Sequence, residues 1–241
     1  MTRRRALVTG ALGGIGGAVV SELSSLGMDV VGLDVTASDT PRVLACDVSD
    51  AGPVHEAVGQ ALALLGGLDV VVNVVGISGR RLGDGPVDTC TEEAWEQVMA
   101  TNVRSVFLVC RAALPALGPG SSIVNLTSVL GMQGDASGRF DTHAYAASKG
   151  AVIALSRAMA GTYAERGVRV NAIAPGLVQT PMSARAQSDP DVMSYISARQ
   201  PLTGAALTVG HVASAVGWLA STASAAVTGV VLPVDGGWTA T

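Results

Sequence analysis

The sequence predicts an α/β fold, a single doubly wound parallel sheet with helices on both faces. Three observations carry that expectation. Short, nearly all-apolar runs alternate with longer segments whose apolar residues recur at helical spacing. A glycine-rich turn, Gly10 to Gly17, joins the first run to the first helical segment, and Asp34 closes the second run. No repeat or low-complexity linker interrupts the alternation, so residues 1–241 read as one domain.

Arg5-Ala6-Leu7-Val8-Thr9 is the first strand, and Gly10, Gly13, Gly14 and Gly16 follow it. A helix then runs through Ala18, Val19, Leu23 and Leu26 until Gly27 stops it. Met28 to Asp34 is the second strand. A strand, glycine loop, helix and strand ending in an acid form the dinucleotide-binding arrangement, with the pyrophosphate at the helix N-terminus. Asp34 lies 18 residues beyond Gly16. Its carboxylate can accept hydrogen bonds from both adenosine ribose hydroxyls and repel a 2′-phosphate. Neither Leu12 nor Val35 supplies a positive charge, so the expected cofactor is NAD(H) in preference to NADP(H).

Val43 to Cys46 is a short third strand, too close to Asp34 for a full crossover helix. Pro53 is expected to start the next helix, which carries Val54, Ala57, Val58, Ala61 and Leu65. Leu68 to Asn73 reads as a central buried strand that continues into Val74-Val75-Gly76. Thr91, Glu92 and Glu93 open a long helix expected to reach Pro119-Gly120. Asn102 sits inside it, where an amide competes for backbone hydrogen bonds; a local rule broken mid-element marks a candidate site.

Ser121 to Leu126 is the next strand, ending at Thr127-Ser128, and a loop from Gly131 to His143 leads into the Tyr145 helix. Val168 to Ala174 is a strand, followed by Pro175 to Thr180. Ser183 to Gly204 is polar and irregular, with a short helix between Pro190 and Pro201. It is a candidate mobile lid over the substrate, the alternative being an ordinary surface excursion. Val209 to Ala220 is the last helix and Gly229 to Val234 the last strand.

Composition narrows the function. Aromatic residues make up only 3%, too few for stacking platforms, and the net charge is −4. Neither a nucleic acid nor a membrane is an expected partner. No run of about 18 consecutive apolar residues is present. Cys46, Cys90 and Cys110 read as small buried hydrophobes in a reducing compartment, and His55, His143 and His211 share no ligand spacing, so no metal is expected. Arg3-Arg4-Arg5 followed by Ala6 to Val20 superficially has the look of a signal peptide, but glycines crowd the apolar part. A cytoplasmic location is expected.

Tyr145 and Lys149 are four residues apart, on one helix face, and Lys149 is the sole lysine of the sequence. A phenol beside an ammonium suits carbonyl and alcohol chemistry. The cation is expected to pull the phenol down from its ordinary pKa of about 10.

With these motifs in order, the sequence from Arg5 to Gly237 resembles the classical short-chain dehydrogenases/reductases, which have a Rossmann-type fold. Thr9-Gly10 with Gly14-Ile15-Gly16 matches their coenzyme loop, Asp47-Val48 their adenine-contacting pair, and Pro175-Gly176 to Thr180 their nicotinamide-side segment. Asn102, Ser128, Tyr145 and Lys149 match the catalytic tetrad. The resemblance implies cofactor contacts from Gly10, Leu12, Gly14, Ile15, Gly16, Asp34, Asp47, Val48, Asn73 and Gly76. It adds Tyr145, Lys149, Pro175, Gly176, Val178 and Thr180. It implies that Tyr145 exchanges a proton with the substrate oxygen, Lys149 holds the nicotinamide ribose, Ser128 orients the substrate, and Asn102 helps hold a proton-relaying water.

Two departures stand out. The usual Asn-Asn-Ala-Gly reads Asn73-Val74-Val75-Gly76, and Ser128 and Tyr145 are 17 residues apart, a long spacing. The extra residues fall beside the expected substrate, for which Arg80, Arg81, Arg139, Phe140, His143 and Met182 are candidate neighbours. The implied activity is oxidation of a secondary alcohol or reduction of a ketone, both small molecules. A homo-oligomer, tetramer or dimer, is implied through the faces 107–117 and 152–159. The alternatives are a catalytically silent NAD-binding sensor or scaffold, and an extended-branch epimerase or dehydratase, for which the C-terminal part is short.

Overall fold

Along each strand, side chains alternate between the two faces of the sheet, and the apolar runs supply both. Leu7, Val31, Val71 and Ile123 face one side, while Ala6, Val8, Val30, Val70, Val72 and Val124 face the other. The structure, a computed structural model, describes residues 3–240; residues 1, 2 and 241 of the expected domain lie outside the described residues. The strands are β1 (Arg5–Thr9), β2 (Asp29–Asp34), β3 (Val43–Ala45), β4 (Val70–Asn73), β5 (Ser122–Leu126), β6 (Arg169–Pro175) and β7 (Val231–Val234). They form one sheet in the order β3-β2-β1-β4-β5-β6-β7, every pairing parallel.

The helices are α1 (Gly14–Ser25), α2 (Ala51–Leu65), α3 (Glu92–Met99), α4 (Ser105–Ala113), α5 (His143–Tyr163), α6 (Ala184–Gln187), α7 (Pro190–Arg199) and α8 (Val209–Ala220). α1 and α8 pack together on one face; α2, α4 and α5 cover the other. The doubly wound expectation therefore holds. Because β1 lies beside β4, the winding reverses there, and a crevice opens at the carboxyl ends of the strands. The arginines at the start of β1 fasten the opposite edge. Arg5 pairs with Asp69 at 2.8 Å, and Arg4 Nη2 donates to the Gly120 carbonyl at 2.9 Å.

Three elements differ from expectation. α2 begins at Ala51, because the Asp50 side chain caps the Gly52 N–H and Pro53 sits in the first turn, where no N–H is needed. The long Thr91 helix is interrupted: a π-helical turn, Ala100–Arg104, separates α3 from α4, and a 3₁₀ turn at Leu114–Ala116 ends it before Pro119. The segment 183–204 contains the short helix expected between Pro190 and Pro201, as α7, and is otherwise less irregular than expected. Asp189 caps α7 by accepting from the Asp191 and Val192 N–H groups, and Ala186, Val192 and Ile196 pack with Val129 and Trp238. The fully buried Gln200 accepts from the Leu177 N–H at 2.6 Å and donates to the Ala205 carbonyl at 2.8 Å. Polar residues on its outer side masked this helical pattern. No helix among the described residues is long and apolar enough to cross a membrane.

Candidate active site

The π-helical turn explains Asn102. An extra residue in one turn re-aims a side chain, and here it turns the amide into the protein, where it is fully buried. Oδ1 accepts from the Ile77 N–H at 2.8 Å. Nδ2 donates to the Ile77 carbonyl and to Ser148 Oγ, both at 2.9 Å. Ser148 in turn donates to the Tyr145 carbonyl at 2.7 Å. One amide thus ties the chain after β4 to the first turns of α5. Lys149 is also buried, and its Nζ donates to the Leu126 carbonyl at the end of β5, 3.1 Å away. A Cβ on Gly76 would stand 3.0 Å from Lys149 Nζ, so only glycine leaves the space beside the ammonium open.

The start of α5 is held by a residue the sequence reading did not single out. Thr142 gives no side-chain cap. Instead the buried Asp84, from the loop before α3, accepts from the Ala144 N–H at 3.0 Å and the Tyr145 N–H at 2.9 Å. A carboxylate is favoured at a helix N-terminus by charge as well as by hydrogen bonding. The only sequence clue is indirect: a helix this important lacks an adjacent capping side chain. His143 Nδ1 accepts from the Val87 N–H at 3.0 Å, bracing the same loop. Cys90, only partly buried, donates to Asp84 Oδ1. Cys46 and Cys110 are buried as expected, and desolvation pushes their thiols up to about 11 and about 12.

The expected depression of the Tyr145 pKa is not what this arrangement produces. Burial raises the phenol above its ordinary value, and a hydrogen bond with Ser128 offsets part of the rise. The lysine is itself desolvated with no carboxylate beside it, so its pKa falls to about 8. Its Nζ lies 5.6 Å from the Tyr145 ring centroid. Two groups buried together each resist charging, and in the protein alone that outweighs the pull of one on the other.

The glycine loop fits a dinucleotide. A Cβ on Gly16 would stand 1.9 Å from the Gly10 carbonyl oxygen, so the tight turn admits no side chain there. No side chain caps α1, leaving its first-turn N–H groups for a phosphate. Gly14 lies against Thr180, and Leu12 N–H donates to Asp34 Oδ2 at 3.0 Å. Thr36 N–H holds the other Asp34 oxygen at 3.0 Å, fixing the carboxylate at the end of β2. Asp47 is exposed, and its hydrogen bonds from Ser49 hold its carboxyl below the usual range.

At two of the expected cofactor positions the side chain is engaged within the protein. The Asn73 side chain is buried toward the helices, donating to Asn125 Oδ1 at 2.8 Å, and Asn125 donates to Ser156 Oγ at 2.9 Å. It knits β4 and β5 to α5. The Val48 side chain packs in the apolar core, so only its backbone is available.

The remaining residues meet in one cleft of about 280 Å³, room for one small substrate beside a flat ring. Ile15, Gly76, Pro175, Gly176, Val178 and Thr180 line it on one side, with Ser128, Tyr145 and Lys149 at its floor. Arg80, Arg81, Phe140 and Met182 line it as expected, while Arg139 and His143 do not. Trp238, Leu130 and Arg185 complete the wall and were not anticipated. Among the described residues no cluster of His, Cys, Asp or Glu is arranged to hold a metal ion.

A family model described as enoyl-(acyl carrier protein) reductase matches residues 10–239. The chain belongs to the short-chain dehydrogenase/reductase family. These proteins are oxidoreductases that bind nicotinamide cofactors. The 2-(R)-hydroxypropyl-CoM dehydrogenase of Xanthobacter autotrophicus is 36% identical, over 98% of this chain and 99% of its own. The cis-4-hydroxycyclohexanecarboxylate dehydrogenase of Sinomonas cyclohexanicum is 38% identical, over 98% and 97%. Among solved structures, a blue fluorescent protein from a metagenomic library, in complex with NADPH, is 32% identical with a TM-score of 0.85. That match covers 98% of this chain and 97% of the other.

Proposed function

We propose that this chain interconverts a secondary alcohol and its ketone, with NAD(H) as cofactor and Tyr145 as the acid and base. The observation that carries the reading is the meeting of Ser128, Tyr145 and Lys149 at the floor of the cleft that the glycine loop adjoins. The bound nicotinamide supplies or accepts the hydride. Tyr145 gives its proton to the carbonyl oxygen in reduction and takes it from the hydroxyl in oxidation. Ser128, which lines the cleft with Tyr145, polarises the same oxygen. A buried phenol with a raised pKa is a competent donor. Removing its proton in the oxidative direction needs the extra positive field of the loaded site, which Lys149 shares.

Asn102 acts through position: its amide is committed to Ile77 and Ser148, and it sets the spacing between the chain after β4 and α5. The relatives named as dehydrogenases of hydroxylated compounds support CH–OH chemistry. The preference for NAD(H) rests on Asp34 alone, since a solved relative carries NADPH. An anchored carboxylate at the end of β2 accepts from the ribose hydroxyls and repels a 2′-phosphate.

We read residues 1–241 as one catalytic domain of a cytoplasmic enzyme, with 183–204 as the wall that closes over the substrate. An apolar groove lined by Phe107, Leu114, Leu155, Met159 and Tyr163, between α4 and α5, supports a homo-oligomer. The test is turnover of a panel of ketones with NADH and with NADPH. NADH is expected to be the better reductant, and faster turnover with NADPH would reject the role given to Asp34.

A further inference from the structure

The wall of the cleft carries a charge pattern that the oxidoreductase reading does not use. In a chain of net charge −4, the cleft is lined by Arg80, Arg81, Arg185 and Lys149, and by no Asp or Glu. Lys149 belongs to the floor. The three arginines belong to the mouth, Arg80 and Arg81 from the loop after β4 and Arg185 from α6.

Two of these guanidinium groups converge. Arg80 Nη2 donates to the Arg139 carbonyl at 3.4 Å, and Arg185 Nη2 donates to the same oxygen at 3.3 Å. Two cations from different elements therefore share one neutral acceptor. Among the described residues, no carboxylate lies within ion-pair distance of either. The nearby Asp135 is engaged elsewhere, accepting from the Tyr195 hydroxyl at 2.6 Å and from Ser137 Oγ. Like charges brought together with only a carbonyl between them repel one another, and the mutual cost is relieved when an anion enters. Guanidinium forks match a planar oxyanion with two parallel hydrogen bonds.

We infer that the substrate alcohol or ketone carries an anionic group, a carboxylate or sulfonate, which Arg80 and Arg185 bind together at the mouth. The inference rests on the oxidoreductase reading and names the substrate class of the same cleft. The anion bridges the β4 loop and α6, on which its two ligands sit. Its carbinol end then points inward to Ser128 and Tyr145, which line the floor of the same cavity. Arg81, more exposed, adds steering charge.

The test compares a series of hydroxycarboxylates of increasing length with their methyl esters, and hydroxysulfonates with uncharged analogues, using NAD. For a chain length that fits, the acid is expected to exceed its ester about tenfold or more in kcat/KM, chiefly through KM. Arg80→Gln and Arg185→Gln should each narrow that ratio, and the double variant should bring it close to one. Arg3→Gln, which removes the same charge from an exposed side chain at the opposite edge of the sheet, should leave the ratio intact. Esters turned over as well as acids would overturn the anionic class while sparing the oxidoreductase reading. A KM rise confined to NAD in the arginine variants would also overturn it, assigning these residues to the cofactor. No turnover of any acid or ester would reject both readings together.

Discussion

The floor of the cleft and its mouth are built from opposite materials. At and beneath the floor, Asn73, Asn102, Asn125, Ser148 and Lys149 are buried, and their hydrogen bonds run to one another, to Ser156, to Cys110 Sγ or to backbone. At the mouth, Arg81, Met182 and Arg185 are exposed, and the contact across it is two arginines on one carbonyl. The difference separates two tasks. Chemistry requires groups held in place before the substrate arrives, which buried amide networks provide. Selection requires groups whose interactions are incomplete until the right ligand completes them.

Substitutions should expose the contrast in graded form. Gly16→Val forces a side chain into the Gly10 carbonyl, so NADH affinity should fall about a hundredfold or more, read by fluorescence titration. Unchanged affinity would show that the loop is not the phosphate cradle. Asn102→Leu strands the Ile77 backbone and the Ser148 hydroxyl, and denaturant unfolding should show a loss of about 2–4 kcal/mol. A loss within error would mean that the floor is not organised by this amide. Asp84→Ala removes two N–H acceptors from α5 and should cost about 1–2 kcal/mol, with partial recovery in Asp84→Asn.

The effect of pH on stability has a definite sign. Lys149 has a pKa of about 8 in the folded protein against 10.5 in the exposed chain. Between those values the unfolded state binds more protons, so this residue makes stability rise with pH across that window. Below about 8 both states are protonated and the full burial penalty is felt. Lys149→Met should flatten the rise, and an unchanged slope would contradict the assignment of a desolvated ammonium. The smallest effect belongs to the mouth. Arg81→Gln should shift unfolding by less than about 0.5 kcal/mol, since the side chain is exposed, and a larger loss would blur the contrast drawn above.

The same division explains what the sequence disclosed. Strand runs, the glycine turn and the terminal acid Asp34 are local patterns with local physical reasons, and the sheet follows them closely. Tyr145 and Lys149 were legible because helix geometry puts them on one face. Asn102 was legible as an oddity, but the π-helical turn that resolves it depends on contacts with Ile77 and Ser148 from distant segments. Asp84 was invisible because it caps a helix 60 residues downstream. The Tyr145 pKa was misjudged because spacing reveals a neighbouring charge and conceals how much water both groups lose. The helix α7 was legible between Pro190 and Pro201, but α6 and the packing of both on Val129 and Trp238 were obscured because those partners come from remote loops.

The central claim is that Tyr145 moves the proton. Its most direct test is Tyr145→Phe in the intact protein, with NADH binding followed by fluorescence and ketone reduction followed in the same samples. The account predicts a rate lower by about a thousandfold or more, with cofactor affinity changed little. Turnover retained within about tenfold of the parent would contradict it.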